Sequence, residues 1–114
     1  MTKSYLIQYC LDHYDCFEDY PFGEATAVLK QTENKKMFAL VAERDGVLYM
    51  NLKCDPDEAL SLRDTYKGIS EGYHMNKKHW NTVLPDCDIP FELVETLIEN
   101  SYNLVKPKIK KSHR

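Results

Sequence analysis

The spacing of apolar residues changes along the chain, and each change of period marks a different kind of element. Residues 4–13 set Leu6, Cys10 and His13 along one side, with Tyr5 and Tyr9 beside it. That predicts a short helix capped by Ser4 or Thr2. Residues 15–22, DCFEDYPF, mix acids with aromatics and lead into Gly23. They predict a loop whose Phe17, Tyr20 and Phe22 tuck against the core. Three strands follow, at residues 26–31, 36–43 and 47–53. The second is apolar on both faces and reads as central. Asp45-Gly46 between the second and third predicts a two-residue hairpin turn, which requires positive φ. In the third, Leu48, Met50 and Leu52 alternate with Tyr49, Asn51 and Lys53. One face of the sheet is therefore covered and the other more open.

Asp55-Pro56-Asp57-Glu58 predicts a helix start, with Asp55 as cap, Pro56 in the first helical position and Glu58 able to close a capping box. This helix should run to about residue 67 and end at Gly68. Residues 72–74 then predict a short extended segment, 76–78 a turn and 79–84 a second strand. Phe91, Val94, Leu97, Ile98, Ser101, Tyr102 and Val105 recur at three and four, the spacing of a long core-facing helix. Lys106-Pro107 ends it. The order predicts a two-layer α+β domain, with a mainly antiparallel sheet of about five strands and helices packed on one face. The domain should span residues 1–105, followed by a basic tail over 106–114.

Composition narrows the function classes. The 114 residues are 43% hydrophobic and 29% charged, enough for one core. No apolar run approaches the roughly 20 residues of a membrane span, and the N-terminus lacks the pattern of a signal peptide. A cytoplasmic protein without a membrane partner is expected. The four cysteines, Cys10, Cys16, Cys54 and Cys87, form no C-x-x-C pair. They read as reduced thiols, with no metal or cofactor implied. The net charge of −3 is unevenly distributed. All 18 acids fall in the first 100 residues, leaving that body at −8 and the remaining 14 residues at +5. A terminal Lys cluster can bind an anionic surface, although it is more often a solvated end.

Residues 72–83, GYHMNKKHWNTV, concentrate the groups able to bind something. They hold the single Trp, two His, two adjacent Lys and an Asn. Trp80 is expected to be chiefly a packing anchor, buried against the last helix near Val94 and Ile98. Trp80→Ala would then cost about 3–5 kcal/mol. Tyr73, His74, Lys77, Lys78 and His79 would face outward.

This segment resembles the MmcQ/YjbR family pattern of His, Asn-Lys, His-Trp and Thr-Val. Two further stretches carry the likeness, the helix opening DPDEALSLRDTY and the terminal helix ending ENSYNLV. The resemblance covers the chain from the first helix to Val105. It implies the YjbR-like α+β fold. Members of that family are described as candidate DNA-binding proteins, because two β-hairpins resemble a pair of wings. On this chain the family's motif positions would be His74, Asn76, Lys77, His79, Trp80 and Thr82. The wings would be the hairpin around 34–36, with Lys35 and Lys36, and the turn around 76–78, with Lys77 and Lys78.

Three functions can be weighed. A non-enzymatic nucleic-acid-binding module would use Lys35, Lys36, Lys77, Lys78 and the tail on phosphates, with His74, Asn76 and His79 also among the binding residues and Trp80 or Tyr73 stacking or anchoring the wing. The acidic body opposes tight binding of DNA. A protein- or ligand-binding module would instead use the open sheet face, with Tyr49, Tyr73 and Trp80 forming an amphipathic patch. An enzyme is the least favoured, since His74 and His79 have no nucleophile, phosphate loop or metal motif beside them. A contiguous positive face would favour nucleic acid, and an apolar concave face a partner.

Overall fold

The computed structural model describes residues 1–107. Most of the basic tail expected over 106–114 lies outside the described residues. Helix α1 (Lys3–His13) is capped by Thr2, whose hydroxyl accepts from Tyr5 N at 3.1 Å. Strands β1 (Cys16–Asp19), β2 (Ala27–Gln31), β3 (Met37–Arg44) and β4 (Val47–Lys53) follow. Helix α2 (Pro56–Thr65), β5 (Ile69–Glu71), β6 (Trp80–Val83) and α3 (Phe91–Val105) complete the order. The strands form one antiparallel sheet in the order β1-β2-β3-β4-β6-β5. The α+β architecture is the one expected, with six strands in place of about five.

The extra strand is β1, in the stretch read as a loop. Cys16–Asp19 is short and acidic, as strands at a sheet edge tend to be. Its ladder to β2 supplies the pairing that no alternation in the sequence advertises. The expected tucking of Phe17, Tyr20 and Phe22 fails for two of the three. Tyr20 stays exposed, its hydroxyl donating to Glu18 at 2.5 Å, and Phe22 is 71% exposed. Helix α2 stops two residues early, before an extended Tyr66. Gly68 has a packing role instead of a capping one. A Cβ there would lie 2.8 Å from Cys87 Cβ, and Asp88 accepts from Lys67 N and Gly68 N at 2.8 and 2.9 Å.

The helices share one face of the sheet. Leu6 and Cys10 of α1 and Val94, Leu97, Ile98 and Val105 of α3 pack on Leu29, Val41, Met50, Leu52 and Val83. Strand β3 is buried on both sides, with Ala39 and Val41 toward the helices and Leu40 and Ala42 on the far face, and a bulge shifts its register. Leu29 pairs with Ala39, whereas Lys30 pairs with Met37. Phe38 is the additional residue, and it turns inward beside Ala39 instead of alternating away. Its ring meets Tyr102 edge-on at 5.0 Å and Tyr14 at 5.8 Å. Its carbonyl accepts from the Ser101 hydroxyl at 2.5 Å, which in turn accepts from Lys53 N at 2.8 Å. The Ser-Tyr of the terminal helix is thus a structural bolt between α3 and two strands.

The expected burial of Trp80 against α3 is overturned by register. Trp80 pairs with Lys53 and Thr82 with Asn51, while Asn81 and Val83 pair with Leu52 and Met50 of the core face. Trp80 therefore lies on the face away from the helices, where it is half-buried. With part of the ring in solvent, Trp80→Ala should cost about 1–2 kcal/mol in chemical unfolding, below the full-burial value.

Candidate functional site

The face away from the helices has its own apolar floor. Val28, Leu40 and Ala42 are buried there, with Met37 and Tyr49 beside them. Among the described residues no helix covers them. What partly covers them is the segment between β5 and β6. Gly72–His79 were expected to include strand, but none of them is in a strand. His74 has φ +59°, which ends any extended run. Gly72 is required by space: a Cβ would stand 2.8 Å from Trp80 Cβ and 2.9 Å from Trp80 O. The chain can therefore double back over the sheet at this point.

A closed set of hydrogen bonds fixes the fold-back. Tyr73 N donates to Thr82 Oγ1 at 2.7 Å, Thr82 Oγ1 donates to Asn51 Oδ1 at 2.7 Å, and Asn51 Nδ2 donates to Tyr73 O at 3.0 Å. Asn51 and Thr82 are buried on what would otherwise be a solvated face. On the other side of the sheet, Arg63 of α2 ties down the strand entry. Its Nε donates to Asn81 Oδ1 at 2.7 Å, and its Nη2 donates to Lys77 O and, at 3.4 Å, to Trp80 O. Asn76 builds the turn, its Oδ1 accepting from Lys78 N at 2.9 Å and His79 N at 3.3 Å.

Two adjoining pockets result. One, of about 300 Å³, is lined by Phe22, Thr26, Leu40, Tyr49, Asn51, Tyr73, His74 and Met75. The other, of about 270 Å³, is lined by Arg44, Asp45, Val47, Tyr49, Tyr73, Thr82 and Leu84. Tyr49 and Tyr73 are common to both and meet edge-to-face at 5.9 Å. His74 lies over Tyr73 at 4.0 Å, and the Arg44 guanidinium over the same ring at 4.2 Å. Burial, with Tyr73 adding to it and Arg44 opposing, pushes the Tyr49 pKa upward, so this hydroxyl stays protonated at neutral pH.

The residues singled out in the sequence divide between turn and groove. Lys35 and Lys36 are exposed on the β2–β3 turn, Lys35 at φ +59°. Lys78 is exposed at the tip of the 72–79 segment. Lys77 is also exposed, but its Nζ donates back to Gly72 O at 3.2 Å. His79 and Trp80 are half-buried, and Cys54 N donates to His79 O at 2.8 Å. Both Lys pairs lie at the end of the sheet where β2 and β5 finish. Three strand spacings separate the two turns, about 14 Å. Of the three residues that the open-face reading grouped, Tyr49 and Tyr73 come together, whereas Trp80 is on the same face but lines neither pocket. Three participants were missed: Arg44, Asn51 and Arg63. A lone Asn between Tyr49 and Lys53 reads as solvated, and only the fold-back buries it.

The cysteines take no part in this groove. Burial pushes the Cys10 thiol up to about 12, with Cys16 adding to it. Cys16 and Cys54 are raised to about 11, burial again leading. All three are thiols, not thiolates, at neutral pH. Among the described residues no His, Cys, Asp and Glu group is arranged to hold a metal ion, and no helix is long and apolar enough to cross a membrane.

The chain as a whole is similar to several known proteins. The chain is 44% identical to the uncharacterised protein YbdF of Escherichia coli O157:H7, over 75% of this chain and 69% of that one. It is 31% identical to YjbR of Escherichia coli K12, over 90% and 85%. YyaQ of Bacillus subtilis is 30% identical, over 93% and 99%. A crystal structure from Pseudomonas syringae superposes with a TM-score of 0.83 at 32% identity, covering 93% of this chain and all of that one. One from Deinococcus radiodurans gives 0.84 at 36% identity, covering 97% and 83%. The YjbR family model matches residues 11–104, from the end of α1 to the last turn of α3 and through every residue of the groove, and the chain belongs to the YjbR family.

Proposed function

We propose that the protein is a non-enzymatic binding module whose open sheet face receives an apolar or aromatic group of a peptide or protein partner. The observation that carries this reading is the paired pocket around Tyr49 and Tyr73, mostly apolar in its walls and, among the described residues, left uncovered by any helix. Sites of this kind are concave, mostly apolar and held by a few placed polar groups. Phe22, at 71% exposure, stands at the rim as a side chain with nothing to bury it in the free protein. The half-buried polar bonds beneath the groove hold its shape before a ligand arrives, which lowers the ordering cost of binding.

Amide NMR during titration with a panel of small aromatic fragments tests it. Shifts should cluster on Leu40, Tyr49, Asn51, Tyr73 and Thr82. Phe22→Ser should weaken binding while leaving stability within about 0.5 kcal/mol, as for other exposed positions. Shifts clustered elsewhere, or none, would overturn the reading.

A second reading keeps DNA as the partner, with no sequence preference. Its support is that Lys35 and Lys36 lie at the same end of the sheet as Lys77 and Lys78. Against it stand the −8 body and the tie of Lys77 to Gly72 O. If about four to six phosphates are contacted, the log–log salt slope on duplex DNA should be near −4 to −5. Lys77→Ala with Lys78→Ala should remove roughly two units of it, and deletion of residues 106–114 several. An absence of affinity at about 50 mM salt would rule this reading out.

A further inference from the structure

The pocket nearer the β3–β4 turn differs from its neighbour in carrying a fixed cation. Arg44 lies with its guanidinium carbon 4.2 Å from the centroid of the Tyr73 ring. Tyr73 is itself pinned through its backbone to Thr82 and Asn51. The contact sets the guanidinium at the mouth of the pocket that Tyr73 and Arg44 both line. Contact with the Tyr73 side chain, hydrogen bonding first, raises the Arg44 pKa and keeps it charged, and a guanidinium has five N–H donors, more than one such contact uses. Among the described residues the ion pairs are Met1 N with Asp86 and Lys30 with Asp19, so no carboxylate lies within 4.0 Å of Arg44. Asp45 lines the same pocket and does not pair with it. Of the remaining walls, Val47 and Leu84 are apolar.

We propose that this pocket binds the C-terminal carboxylate of a peptide, with Arg44 as its anchor and the terminal apolar side chain against Val47 and Leu84. The proposal rests on the open-face reading and names its ligand class. Charge decides for one carboxylate over many. A planar guanidinium matches a single carboxylate through two parallel N–H···O bonds. The body at −8, with Asp45 on the rim, repels an acid-rich segment. A chain end supplies one carboxylate and can stop at the turn that closes the pocket.

The probes are acetylated Gly-Phe-Leu with a free C-terminal carboxylate and the same tripeptide as its C-terminal amide. Both are titrated into the full chain and followed by amide NMR. The acid should bind about fivefold or more tightly than the amide, the difference carried by a charged hydrogen bond. It should shift Arg44, Tyr49, Tyr73 and Thr82. Arg44→Gln should erase the difference by weakening the acid alone. Equal binding of acid and amide at the groove would overturn the carboxylate assignment and leave the open-face reading standing. A difference that survives in Arg44→Gln would also overturn it. Shifts from neither probe, with none from the aromatic fragments, would remove both.

Discussion

Phe38→Ala should destabilise the protein by about 3–5 kcal/mol, the range for emptying a buried aromatic position. Phe38 is fully buried and is the residue that the β2–β3 bulge adds to the core face. Its ring sits against Tyr14 of the α1–β1 link and Tyr102 of α3, so one truncation loosens three elements at once. The cavity cannot be refilled easily. Tyr102 is held at its far end, its hydroxyl accepting from Gln31 Nε2 at 3.3 Å and donating to Asp15 O at 3.2 Å. A domain of this size has roughly 5–15 kcal/mol of stability in total. Urea unfolding should therefore show a large drop in midpoint with the slope m unchanged. A loss below about 1.5 kcal/mol would mean that the core collapses around the gap, and that the bulge is not held as tightly as its contacts imply. Phe38→Leu, which keeps most of the apolar volume, should recover more than half of the loss.

The same bulge explains how much of the fold could be read in advance. The core strand was legible because residues 37–42 are apolar without a break, and such a run implies burial on both faces. The register within it was not, because which residue bulges is decided by β2 and by the Ser101 hydroxyl, both distant in sequence. Turn chemistry was legible wherever a single residue type is demanded. Asp45 and Gly46 take φ of +54° and +78°, as the hairpin requires. Asp55 caps α2 through Glu58 N at 3.3 Å. The edge strand was hidden for the opposite reason: its acids suit a strand at the edge, and its four residues carry no core-facing pattern.

The site was legible as a segment and not as a surface. Residues 72–83 stood out by composition, and the alternation of β6 correctly paired Trp80 with Thr82 on one face. The choice of face was wrong, because a Trp draws the core assignment to itself. Val83 and Asn81 take those positions instead, Asn81 being tolerated there by Arg63. Arg63 and Arg44 could not have been selected from the 12 Lys and 3 Arg spread over the chain's positive charge. Their roles depend on what lies opposite them once the 72–79 segment has folded back.

That fold-back is what the second large effect should expose. Asn51→Ala removes the acceptor of the Thr82 hydroxyl and the donor to Tyr73 O, at a position 2% exposed. Leaving a buried carbonyl without a partner costs about 1–3 kcal/mol, and the lost side-chain volume adds to it. A total of about 2–4 kcal/mol is expected. The effect should differ in kind from that of Phe38→Ala, because the bonds lost hold one segment to the sheet and not the core together. Hydrogen exchange at Tyr73 N, which donates to Thr82 Oγ1, should accelerate far more than at Val41 in the central strand. Binding at the groove should fall with it, since the ring of Tyr73 forms a wall of both pockets. Thr82→Val breaks the same triangle from the opposite corner with little change of volume. Asn51→Ala and Thr82→Val should therefore be non-additive by about 1 kcal/mol or more in a double-mutant cycle. Additive losses, with Tyr73 exchange no faster than Val41, would show that the 72–79 segment is held by its own turn at Asn76 and by Arg63, and that the groove does not depend on the buried Asn.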